Sequence, residues 1–80
     1  MYYVYILRSL KNPDQKYIGR TIDLNRRLID HNTGTTPHTA HYKPWVFQLH
    51  IGFESEDKAF KFERYLKTAS GRAFANKRLL

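Results

Sequence analysis

The chain has 80 residues, with 14 Lys and Arg against 7 Asp and Glu, a formal charge of +7, and no cysteine. That length holds one hydrophobic core, so residues 1–80 are expected to form one domain. The lack of cysteine excludes disulfides, thiolate zinc sites and a cysteine nucleophile.

Residues 2–8 are rich in Tyr, Val, Ile and Leu and read as a strand, with Tyr3, Tyr5 and Leu7 on one face and Tyr2, Val4 and Ile6 on the other. This apolar start is too short for a secretory signal and has no basic lead. No segment is long enough to span a membrane, so no membrane partner and a cytoplasmic location are expected. Residues 9–15 form a turn around Asn12-Pro13-Asp14, and residues 16–20 a second short strand, which completes an antiparallel hairpin. Thr21 or Asp23 can cap a helix over about residues 23–32, closed by Asn32-Thr33-Gly34. Residues 33–44 show no periodicity and are expected to be a loop, long enough in so small a domain to suggest function. From Pro44 to Phe53 the alternation Trp45, Phe47, Leu49, Ile51 fits a third strand. Ser55 caps a second long helix, with Glu56 and Asp57 in its first turn, running to about Ala69. Ser70-Gly71 is expected to break it, and residues 72–80 to form a short basic helix. The expected fold is α+β: a three-stranded antiparallel sheet flanked by helices, in the order β-β-α-β-α-α.

The positive charge attracts polyanions, and a structural RNA binder would show it as well as a protein acting on DNA. Sharper signals come from polar residues at costly positions. In the first helix the apolar stripe is Leu24 and Leu28, and Arg27 and His31 lie one turn apart along its edge. A guanidinium and an imidazole there need partners; a local carboxylate and a snorkelling stem would suffice. In the second helix Glu63 projects between Ala59 and Phe60, toward the core side. It is either salt-bridged, with Arg27 as the obvious partner, or a ligand for a hard divalent cation such as Mg²⁺. Tyr5 and Tyr17 lie on paired strands, where a tyrosine is ordinarily a packing residue.

Together these residues carry a resemblance. Tyr3-Val4-Tyr5 and Tyr17-Ile18-Gly19 resemble the paired signature of the GIY-YIG nuclease superfamily, with Tyr3 where the first glycine would stand. The run from Tyr17 to Asn32 is similar to that family's second strand and first helix, and Ala59-Phe60-Lys61-Phe62-Glu63 to its metal-binding helix. The stretches His31-Asn32-Thr33-Gly34, Thr39 to Trp45 and Gly52 to Glu63 are similar to small single-domain bacterial members and to the nuclease domain of the structure-selective resolvase branch. Lys43 stands where an arginine is common, and with no cysteine among residues 1–80 the zinc-binding domain of eukaryotic relatives is not expected within them.

The resemblance implies a metal-dependent endonuclease that hydrolyses DNA phosphodiesters, in repair or recombination, with a preference for structured DNA. It implies that Glu63 holds one Mg²⁺ or Mn²⁺, mainly through water. It also implies that Arg27 grips the scissile phosphate and that Tyr5 or Tyr17 orients or deprotonates the attacking water. A phenol doing so needs positive charge nearby, from Arg27, His31 or the metal, and His31 can itself relay the proton. Asn76 is the one candidate for a late asparagine that assists in some members. Contacts to DNA are expected from Lys16, Arg20, the 33–44 loop with Lys43, and the basic end with Lys67, Arg72, Lys77 and Arg78. Two other readings stand: a non-catalytic nucleic-acid-binding module on the same fold, and a nuclease subunit that needs a partner protein.

Overall fold

The computed structural model describes residues 1–80. Strand β1 (Tyr2–Ser9) is the middle of a three-stranded sheet, flanked by β2 (Lys16–Thr21) and β3 (Trp45–Phe53), each antiparallel to it. Its sequence explains its place: Val4, Tyr5, Ile6 and Leu7 are consecutive apolar residues, and all four are buried. A strand apolar on both faces needs cover on both.

On one face, Val4 and Ile6 pack with Ala59, Leu66 and Ala75 from α3 (Glu56–Leu66) and α4 (Ala69–Arg78). On the other, Tyr5, Leu7 and Trp45 pack with Leu24 and Leu28 of α1 (Leu24–Thr33). The short helix α2 (Pro37–Ala40) adjoins α1. The order β-β-α-β-α-α therefore holds, with α2 inside what reads from sequence as a loop. No helix is long and apolar enough to cross a membrane.

The local signals act as expected in most elements. Asn12 makes the hairpin turn, its Oδ1 accepting from the Asp14 amide at 3.2 Å. Asp23 caps α1 through the Arg26 amide at 3.1 Å, and Gly34 ends it in the left-handed region at φ 81°. Ser55 caps α3 through the Lys58 amide.

Two elements differ from the sequence reading. In β3, Leu7 stands opposite Phe47 while Ile6 stands opposite Leu49, which leaves Gln48 as an extra residue. This bulge moves the later side chains to the other face. Trp45 and Phe47 join Tyr5 and Leu7, whereas Leu49 and Phe53 pack with Val4 and Ile6. The alternation from Trp45 to Ile51 is thus split between both cores. The second difference is the helix break. Helix α3 stops at Leu66, with Lys67 as its cap, and Thr68 starts α4 by accepting from the Gly71 amide at 3.0 Å. Ser70 and Gly71 lie inside α4's first turn. Gly71 is needed for close approach: a Cβ there would overlap the Tyr65 carbonyl and sit 2.8 Å from Leu66 Cα.

Alanine is worth about 1 kcal/mol more than glycine in an open helix. At Gly71 the overlap reverses that sign. Gly71→Ala is expected to destabilise the domain by about 1–3 kcal/mol, lowering Tm by about 4–8 °C per kcal/mol in a chain of this size. Thermal unfolding followed by circular dichroism checks it, and a raised Tm would contradict the packing described.

Candidate active site

The site begins at a glycine. Gly19 stands directly opposite Tyr5 in the β1–β2 register, and Tyr17 precedes it by two residues on the same face. A Cβ on Gly19 would overlap the Tyr5 phenol and lie 2.8 Å from Tyr17 Cε1. Its absence lets the two phenols converge, with ring centroids 6.2 Å apart.

Helix α1 crosses this face and brings Arg27 and His31, one turn apart, onto the phenols. His31 Nε2 lies 2.9 Å from the Tyr5 hydroxyl, and the Arg27 Nε–H donates to the same oxygen at 3.3 Å. His31 Nδ1 lies 2.8 Å from the Thr39 hydroxyl, which donates to the Thr36 carbonyl at 3.3 Å. The proton order follows by elimination. Thr39 has one hydroxyl proton and gives it to Thr36, so it accepts from Nδ1–H of His31. Nε2 is then the bare nitrogen, so Tyr5 donates to it while accepting from Arg27. Tyr5 and His31 are fully buried and Thr39 nearly so.

Electrostatics agree with that order. Burial, then the positive Arg27, pushes the His31 imidazole down to about 4. Burial pushes the Tyr5 phenol up to about 12, with the Arg27 hydrogen bond opposing and the Tyr17 and Glu63 charges adding to the rise. Arg27 is held above its ordinary value, first by its hydrogen bond to Tyr5. At neutral pH the cluster is one cation, a neutral phenol and a neutral imidazole. His31 therefore supplies no positive charge to a phenol, contrary to one option open in the sequence.

Glu63 comes from α3, on the opposite side of the sheet, and meets the edge strand β2. Its Oε1 pairs with Arg20 Nε at 3.3 Å and its Oε2 with Lys67 Nζ at 3.2 Å. The side chain is 15 % exposed. The sequence's obvious pair, Glu63 with Arg27, does not form, because β2 lies between them; Arg27 leans instead toward Asp30 at 3.9 Å. Arg20 also lies over the Phe60 ring, 5.0 Å from its centroid.

No three His, Asp or Glu side chains converge as a ligand set. Glu63 is the carboxylate that pairs with the β2 edge; Glu56 and Asp57 lie beside Arg20, Asp14 lines the neighbouring cleft, and Asp30 is engaged by Arg26 and Arg27. A single hard carboxylate suits a cation that keeps most of its own water, as Mg²⁺ and Mn²⁺ do. The donor set fits such an ion and no dehydrated one.

A cleft of about 710 Å³ runs beside β2 toward α4. Tyr17 and His38 face it, with Lys16, Lys67, Arg72 and Asn76. It thus gathers three of the sequence's basic candidates and the late asparagine beside one of the phenols. Arg20 stands next to it on Glu63, while Lys43 and Lys77 lie outside its lining. Two residues escape sequence reasoning. Thr39 fixes the His31 tautomer, and Asn32 clamps β3 to α1, its amide accepting from the Trp45 amide at 2.6 Å and donating to the Trp45 carbonyl at 3.0 Å. Periodicity gives a threonine there no role; the hints that the segment is ordered are Pro37 after Thr36, a helix-start pair, and the family resemblance of Thr39 to Trp45.

A central strand covered on both faces, with two phenols, a guanidinium and an imidazole bonded over its edge, defines a small α+β catalytic domain. The profile of the GIY-YIG catalytic domain matches residues 1–78, and the chain belongs to the GIY-YIG family. It is similar to the structure-specific endonuclease subunit SLX1 of Malassezia globosa, 43% identical over 68 residues, covering 79% of this chain and 15% of that protein. The same-named subunit of Yarrowia lipolytica is 40% identical over 73 residues (82% of this chain, 25% of that protein). That of Candida dubliniensis is 37% identical over 75 residues (85% and 26%). The chain spans about a quarter or less of the length of these relatives.

The buried neutral imidazole has a signature in stability. Unfolded, His31 takes a proton near pH 6.5; folded, only near pH 4. Between those values the unfolded chain binds more protons, so stability rises with pH. The contribution is complete above pH 6.5, and about 3 kcal/mol of it is lost as pH falls to 4. Urea unfolding between pH 7 and 4 should show a steeper loss in the native protein than in His31→Gln. Parallel pH profiles would contradict the buried neutral imidazole.

Proposed function

We propose that this domain is a divalent-metal-dependent endonuclease that hydrolyses phosphodiesters in structured DNA, in repair or recombination, and that it works with a protein partner. One observation carries the reading: Arg27 donates to Tyr5 beside Tyr17, and Tyr17 lines a cleft with Lys16, Lys67 and Arg72, of which Lys67 pairs with Glu63. The family match and the names of the relatives support the reaction class and the structured substrate. Those relatives are named as subunits, which supports a partner protein.

The roles follow from the chemistry of each group. Arg27 presents its free guanidinium N–H groups to the scissile phosphate, where a planar fork outperforms a point charge. Its bond to Tyr5 fixes the fork's direction. Of Tyr5, Tyr17 and His31, Tyr17 is the one facing the cleft, so its hydroxyl is the group that meets the attacking water. The Arg27 guanidinium beside it is placed to stabilise charge developing on that oxygen. Tyr5, His31 and Thr39 form a buried, neutral line that holds Arg27 in place. Glu63 is the residue that holds Mg²⁺ or Mn²⁺, which when bound supplies neutralisation at the leaving oxygen. Lys16, Lys67 and Arg72 neutralise neighbouring phosphates.

Two predictions test this. With Mg²⁺ or Mn²⁺ the protein nicks supercoiled plasmid or branched DNA, alone or with its partner restored, and Glu63→Ala or Arg27→Lys lowers the rate about 10²–10³-fold without loss of DNA binding. Binding that persists with no cleavage under either condition would favour a non-catalytic binding module. Secondly, Arg72→Ala should weaken binding to all DNA sequences alike and reduce the slope of log K against log salt by about 1. An unchanged slope, read by fluorescence anisotropy across a salt series, would remove Arg72 from the interface.

A further inference from the structure

The Glu63 carboxylate is fully engaged before any metal arrives. One oxygen takes Arg20 from β2, the other takes Lys67 from the cap of α3, and the side chain is largely buried. Two cations from different elements thus share one anion. Neither is held there by a second carboxylate: Arg20 otherwise rests on the Phe60 ring, and Lys67 otherwise faces the cleft. A divalent cation on Glu63 competes with both, by like-charge repulsion and for the same oxygens. Displaced, the two cations lose the only carboxylate they pair with: Glu56 and Asp57 beside Arg20, and Asp14 in the cleft with Lys67, make no ion pair with either.

We propose that Arg20 and Lys67 form a latent phosphate site, which Glu63 keeps closed and a divalent cation opens. The ligand is a phosphodiester of the nucleic-acid backbone. Its two non-bridging oxygens offer the paired anionic acceptor that the carboxylate offers in the closed state. The exchange is reciprocal: metal on Glu63 tightens phosphate binding, and phosphate on Arg20 and Lys67 clears Glu63 for metal. Charge then balances at every stage, and neither ligand is held strongly without the other. The inference rests on Glu63 as the seat of the divalent ion.

The test separates that premise from the exchange itself. Mn²⁺ binding is read by electron paramagnetic resonance, and binding to a short DNA duplex by anisotropy, in EDTA and at fixed ionic strength. Glu63→Gln neutralises the carboxylate as a bound cation would. It should tighten metal-free duplex binding about fivefold or more, and clearly more than Glu54→Gln, which removes one exposed charge elsewhere. Adding Arg20→Gln and Lys67→Gln to Glu63→Gln should abolish the gain. With Glu63 intact, the Arg20→Gln, Lys67→Gln protein should bind Mn²⁺ more tightly than the native one; a purely structural pair, holding the carboxylate in place, gives the same or weaker binding. If the combined variants do not fold, Lys67→Gln alone, at an exposed side chain, replaces them in both arms. Equal gains from Glu63→Gln and Glu54→Gln, or a gain that survives loss of the cations, would overturn the exchange. Mn²⁺ binding that is indifferent to Glu63→Gln would overturn the premise, and the exchange with it.

Discussion

A phenol buried away from water must give its proton to an acceptor, and Tyr5 has one in reach, the Nε2 of His31. The whole site is arranged around that requirement. His31 can accept only if its other nitrogen carries the hydrogen, and Thr39 enforces this by spending its own hydroxyl proton on the Thr36 carbonyl. Arg27 can then donate to the remaining side of the Tyr5 oxygen. The cation is aimed by a chain of neutral groups. Gly19 makes the chain possible, since any side chain opposite Tyr5 would occupy the space of its ring.

The fold supplies the opening. A three-stranded sheet has two edges, and placing β1 in the middle leaves β2 at one of them. Helices on both faces cover β1 completely and reach β2 from either side. The phenols, Arg27 and His31 therefore gather on one face of the edge strand, and Glu63 arrives from the other. A phosphodiester lying along β2 would meet both groups without entering the core. The buried hydrogen-bond chain and the open cleft thus lie beside the same edge strand.

The sequence made much of this legible for physical reasons that differ by residue. Strands, caps and the central hairpin follow from local rules: Asn12 at a turn, Asp23 and Ser55 at helix starts, Gly34 at a helix end. Arg27 and His31 stand out because helical spacing puts them beside an apolar stripe, where polarity demands partners. Their partner's identity, Tyr5, depends on strand register and is beyond local periodicity. The resemblance to the GIY-YIG family is what joins these residues to Glu63 in the sequence reading, and the family itself is borne out by the match over residues 1–78. Three features stayed hidden. The Gln48 bulge shifts register without any compositional mark. Gly71 reads as a helix breaker, yet serves as the contact point between two helices. Of the partners of Glu63, Lys67 stands at the i+4 spacing that a helix pairs, whereas Arg20 comes from β2, far away in the chain, and no pattern in the strand announces it.

Because Arg27 is directed by a neutral Tyr5–His31–Thr39 chain, the protonation state of His31 is the central claim. Long-range ¹H–¹⁵N correlation spectra of the four histidines across a pH titration read it directly. The structure calls for one imidazole that is neutral, protonated at Nδ1 and bare at Nε2, and that keeps this form down to near pH 4. A His31 protonated at Nε2, or charged at pH 6, would leave Tyr5 without its acceptor and contradict the arrangement.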